Sequence, residues 1–176
     1  MAMRPSDTDQ KLRHARLIFY EDDIERINKA LENYQNLSKS RCNMLIDVEG
    51  HPVTQVGSTE GINLETIAAL VAASFAATKE VAKILGEAEF TSLTHQGKHE
   101  SIQLSLVGER TILATIFDSE ETTIGMVMFY TKELVEKLAL IFNEIKDRKD
   151  TGRKLFDEGA DMSQMESVID DLFGDV

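Results

Sequence analysis

Thr111-Ile112-Leu113-Ala114-Thr115-Ile116-Phe117 is the run that decides the fold. Apolar residues fall on both of its alternating faces, so it reads as a central strand that needs cover on both sides. Upstream, Ile102, Leu104 and Leu106 alternate, and Gly108-Glu109 makes a tight turn between the two runs. Downstream, Thr123 to Tyr130 is apolar over much of both faces and reads as the next strand. A short segment from Phe90 to His95 is a candidate edge strand.

The flanking segments supply the cover. Ile24, Ile27, Leu31, Tyr34 and Leu37 recur at spacings of three and four, one face of an amphipathic helix. Asn43–Val48 and Val53–Gly57 then read as a hairpin, joined by a turn in which Gly50 is free to take positive φ and Pro52 ends the bend. A second helix runs from Asn63, a plausible N-cap, to Leu85, with Gly86 as its stop. Its expected core face is Ile67, Leu70, Ser74, Ala77, Val81 and Ile84. Leu134, Val135, Leu138, Ile141, Phe142 and Ile145 mark a third helix. The order is helix, two strands, helix, three strands, helix, tail. It predicts an α+β domain with a five-stranded antiparallel sheet between helices.

Four segments follow from composition. Residues 1–18 form a polar, flexible arm, 19–148 the domain, 149–162 a charged linker or fraying helix end, and 163–176 a short C-terminal helix. The whole chain of 176 residues carries a net charge of −12, which argues against general nucleic-acid binding and against an anionic membrane surface. Its one cysteine, Cys42, forms no internal disulfide and fits a reducing, cytoplasmic compartment. The N-terminal residues lack the apolar stretch of a secretory signal, and Ile67–Ala77 is too short to span a bilayer.

Catalytic motifs are weak. His95 and His99 stand four apart across Gln96-Gly97-Lys98, a turn, so they do not share a helical face, and no third metal ligand accompanies them. Gly57-Ser58-Thr59-Glu60-Gly61 lacks the lysine and spacing of a phosphate loop and reads as a strand-to-helix connection. No nucleophile elbow surrounds a serine, and Cys42 reads as a partly buried structural thiol. The expectation is no metal, no cofactor and no catalytic residue.

Two surfaces rise above this background. One is the alanine side of the second helix, with Ala69, Ala72, Ala73 and Ala76 followed by Lys79, Glu80 and Lys83. Small side chains admit a close partner, and helix propensity alone explains them equally well. The other is the C-terminal segment. Ser163-Gln164-Met165-Glu166 fits a capping box, and Met165, Val168, Ile169, Leu172 and Phe173 then form an apolar stripe with Asp170, Asp171 and Asp175 nearby. So short a helix needs a groove, on its own domain or on a partner. The charged linker before it favours a partner.

Met44-Leu45-Ile46-Asp47-Val48-Glu49-Gly50, Ala82 to Phe90, His95-Gln96-Gly97, Leu106-Val107-Gly108, Ile116-Phe117-Asp118 and Ile169-Asp170-Asp171-Leu172-Phe173 together resemble the roadblock (dynein light-chain-like) domain, and within it the bacterial MglB family. Members of that family partner the small Ras-like GTPase MglA in cell polarity and gliding motility. The resemblance implies a homodimer whose sheets join through the third strand, here about Ser101 to Val107, while the second helices pair. It places Ala72, Ala73, Ala76 and Glu80 on the surface that docks the GTPase, although Glu80 stands where a small residue is expected. It also implies GTPase activation without an arginine finger, by repositioning the GTPase's own switch loops. Met165, Val168, Ile169, Leu172 and Phe173 become anchors of a separate helix that favours nucleotide exchange. The implied location is the cytoplasm, with the cell pole as a site of action.

Two other classes stay in view: a non-catalytic roadblock scaffold that localises partners, and a small-molecule sensor, which requires a ligand-sized cavity.

Overall fold

Capping residues set the helix limits. In the computed structural model, which describes the backbone of residues 17–157 and the side chains of 17–148, α1 spans Glu21–Ser38. The Asp23 carboxylate accepts the Tyr20 N–H at 2.9 Å, and Lys39 closes the helix at φ 57°. Strands β1 (Cys42–Asp47) and β2 (Pro52–Gly57) form the expected hairpin. α2 (Leu64–Leu85) begins at Asn63, whose side chain accepts the Thr66 N–H at 3.0 Å, and ends at Gly86 with φ 78°. Strands β3 (Ser92–Gln96), β4 (Glu100–Val107) and β5 (Thr111–Asp118) follow, and α3 (Ile124–Asp157) closes the order.

The five strands form one antiparallel sheet in the order β2-β1-β5-β4-β3. β5 lies at its centre, as its two apolar faces require. Met44, Ile46, Leu104, Ile112, Ala114 and Ile116 point to the side where Ala68, Val71 and Phe75 of α2 pack. Strand alternation turns Leu45, Leu113, Thr115 and Phe117 to the opposite side. There Tyr34 of α1 ties the layers together: its hydroxyl bonds Thr131 of α3 at 2.7 Å and Thr115 of β5 at 3.2 Å. α1 and α3 thus share one face of the sheet, and α2 alone serves the other.

Three expectations change. Thr123–Tyr130 is not a strand; it is the threonine cap and first turns of α3. The Thr123 hydroxyl accepts the Met126 N–H at 3.3 Å. Val127, Thr131, Leu134, Leu138 and Ile141 are buried at steps of three and four, a helical face that a dense apolar run conceals. The fifth strand is instead the candidate edge segment, now β3. Second, Ser101–Val107 is not an edge. It lies within β4, which is bonded by β3 on one side and β5 on the other, so among the described residues the edge on this flank of the sheet belongs to β3. Third, α2 is rotated from its expected orientation. Ala68, Val71, Ala72, Phe75 and Ala82 are buried, whereas Leu70, Ala77, Val81 and Ile84 are exposed.

The chain divides into two units, and Phe19–Ile141 holds the sheet, α1, α2 and the first half of α3. The other comprises the two chain ends, of which residues 17–18 and the helical backbone of 142–157 are described. The arm up to residue 16 and the C-terminal segment, with Met165, Val168, Ile169, Leu172 and Phe173, lie outside the described residues.

Candidate docking surface

A helix covering a sheet alone has one face in and the rest out. On α2 the outward side carries two neighbouring stripes. Leu70, Ser74, Ala77, Val81 and Ile84 recur at steps of four and three, and so do Ala69, Ala73, Ala76, Glu80 and Lys83. The first stripe is markedly apolar for its exposure: Leu70 is 64% exposed and Ile84 84%. The second is flat, then charged, and the Lys83 ammonium sits 2.6 Å from the Glu80 carboxylate. Of the four α2 residues singled out from sequence, Ala73, Ala76 and Glu80 lie on the outward side. Ala72 does not; only 6% of it is exposed.

The stripes adjoin the free strand edge. His95 Nε2 on β3 and the Ser74 hydroxyl on α2 lie 3.3 Å apart. Leu93, Ile102 and Leu106 on β3 and β4 pack against the core beneath α2 yet are only partly buried. The sheet on this side is wider than one helix covers. Unpaired strand edge, half-covered sheet and apolar helix stripe are therefore adjoining parts of one surface, which suits a protein partner better than water. Sequence periodicity missed the Leu70–Ile84 stripe by assigning it to the core.

The end of the sheet near the β1–β2 turn holds a different cluster. One ligand atom each from Asp47, Glu49 and His51 lie within 4.8 Å of one another. A cation already stands there: Arg110 is 2.7 Å from the Glu49 carboxylate and 3.8 Å from Asp47. That charge opposes metal binding, and the cluster reads as a brace between two turns. Gly50 in the same turn has φ 92°, and a Cβ there would stand 3.1 Å from Ala69 Cα. The small residues at 50 and 69 let this turn pack on α2. Arg41, beside β1, pairs with the Glu100 carboxylate and donates to the Glu60 carbonyl, which occupies its guanidinium. Burial pushes the Cys42 thiol up, with Arg41 opposing in part, so the sulfur is held as an unreactive thiol.

A groove of about 280 Å³ lies between the β3–β4 edge and α3, lined by Gln103, Ser105, Met128, Thr131 and Val135 among others. It falls just short of the roughly 300–1,000 Å³ usual for ligand pockets. The buried Gln103 amide is engaged by the Thr94 hydroxyl and by the Leu104 carbonyl.

A five-stranded antiparallel sheet with two helices on one face and one on the other defines the class. The chain belongs to the Roadblock/LC7 domain family, which matches residues 26–117. Among solved structures it is similar to MglB of Myxococcus xanthus, with 30% identity and a TM-score of 0.68 over 73% of this chain and 96% of that one. It is similar to the gliding protein MglB of Thermus thermophilus, at 34% identity and a TM-score of 0.67 over the same shares. It is also similar to an MglB with a tetrameric arrangement, at 33% identity and a TM-score of 0.68 over those shares again. No curated protein sequence matches the chain. No described helix is long and apolar enough to cross a membrane.

Proposed function

We propose that this chain is a homodimeric activator of an MglA-like small GTPase, acting in the cytoplasm in cell polarity or gliding motility. The observation that carries it is the outward face of α2 beside the free edge of β3. Two copies pair through β3 and through the stripe Leu70, Ala77, Val81 and Ile84. Pairing sets two second stripes side by side, and Ala73, Ala76 and Glu80 meet the GTPase. The 30–34% identity to MglB proteins, including a gliding protein, supports the choice of partner.

The two α2 stripes carry no arginine that could act as a finger. Activation therefore works by selection: the dimer binds the GTPase conformation in which the GTPase's own residues orient water and stabilise the departing phosphate. A partner that binds the competent conformation about 100-fold tighter raises the ratio of competent to inactive GTPase by that factor. Met165, Val168, Ile169, Leu172 and Phe173 serve as a second contact that favours nucleotide exchange. A relative's tetrameric arrangement supports association of two such dimers.

Phosphate release from the GTPase and GTP, measured against increasing amounts of this protein, tests the reading. A saturable rise supports activation. Stable binding with unchanged turnover would replace it with the scaffold.

A further inference from the structure

The alanine side of α2 changes character along its length. Ala69, Ala73 and Ala76 are exposed and short, so a surface laid on them comes close to the helix backbone. One turn beyond Ala76 the same side carries Glu80, and Lys83 follows. The Lys83 ammonium donates to Oε1 of Glu80 at 2.6 Å, with 57% and 68% of the two side chains exposed. In the free protein this solvated pair adds little to stability. A close partner changes its weight. A GTPase seated on the alanines also takes water from the Glu80 carboxylate, and one lysine at an exposed edge replaces only part of that hydration.

Charge decides what must stand opposite. A carboxylate accepts several hydrogen bonds, so the second oxygen of Glu80 can take a further donor. The residues from Phe19 to Ile141 include ten basic and nineteen acidic side chains, a net charge of −9, and the field of this unit draws positive surfaces. A neutral surface leaves the desolvated carboxylate short of partners, and an acidic one repels it. We propose that Glu80 is a specificity determinant: it admits a GTPase that presents an arginine or lysine one helical turn beyond the patch covering Ala76. This deepens the docking reading above and rests on it. Lys83 competes with the incoming cation for the same carboxylate, so the two members of the pair act on binding with opposite sign.

Calorimetric titration of the full chain with the MglA-like GTPase, loaded with a non-hydrolysable GTP analogue, tests this at about 50 and about 300 mM salt. Glu80→Gln keeps the shape and removes the charge. It is expected to raise Kd roughly tenfold at the lower salt and to flatten the salt dependence. Lys83→Gln is expected to lower Kd. Circular dichroism melting stays unchanged in both, and a pair that only braced the helix would move neither Kd. An unchanged or lower Kd in Glu80→Gln overturns the assignment, and so does a higher Kd in Lys83→Gln. The docking reading survives either result if Ala76→Arg still abolishes binding. If Ala76→Arg binds as the wild type does while the two opposite shifts are found, the charge contact stands and the alanine patch is not the interface. A wild type that binds no such GTPase overturns both.

Discussion

Tyr34 shows how much one side chain can hold. It is buried, and its hydroxyl joins α1, β5 and α3 through Thr115 and Thr131. Tyr34→Phe leaves those threonines without a shared partner and should cost about 1–3 kcal/mol, read as a lower urea midpoint at unchanged slope. Burial raises the phenol's pKa. A group whose pKa is raised on folding contributes fully below its unfolded value, near 10, and loses that contribution as pH climbs beyond it. Cys42, raised by burial as well, acts in the same direction from its own unfolded value, near 9. Wild-type stability should therefore fall above about pH 9, and Tyr34→Phe should fall less steeply above about pH 10. Gly50 is the second critical residue. Gly50→Ala forces a Cβ onto a backbone at φ 92° and towards Ala69, and should destabilise by about 1–3 kcal/mol in the same assay.

Secondary structure was legible wherever a residue type has one local meaning. Asn63 and Gly86 bound α2 as their capping chemistry requires, and Gly50 turns the first hairpin with positive φ. Face assignment was less legible because α2 is apolar almost all round. Ile67, Ala68, Leu70 and Val71 offer several apolar stripes, and periodicity alone does not say which meets the sheet. Its largest aliphatic side chains were assigned inward, whereas small Ala68 and Ala72 pack there with Val71 and Phe75. The Thr123–Tyr130 run misled for a related reason: β-branched and aromatic residues favour strands, yet here they follow a threonine cap. The rotation of α2 is testable through its exposed side chains. Ile84→Glu should leave the fold intact and abolish α2–β3 pairing, seen as a halved mass by light scattering. Ala76→Arg should preserve that pairing and block the GTPase, seen as lost co-elution.

At the scale of the unit Phe19–Ile141, α1 and the first half of α3 share one sheet face, and in the proposed function α2 with the edge strand offers the other to partners. The charge distribution adds a further division, since residues 149–176 hold eight acidic against three basic residues. Deleting residues 163–176 should leave the melting temperature within a degree or two and lower GTPase affinity or exchange. A large drop in melting temperature would instead show that this segment packs on its own domain.

The two ends of the sheet are unequal. At the β3 end a strand edge is open. At the other end β2 begins with Pro52, which has no N–H to give, its pairing with β1 shifts register between Leu45 and Ile46, and Thr54 bonds Asn28 of α1 at 2.6 Å. Strand addition can thus proceed once, symmetrically, and then meets a blunted edge on both flanks. The sheet of the proposed dimer therefore ends as a closed particle and does not propagate into a fibril.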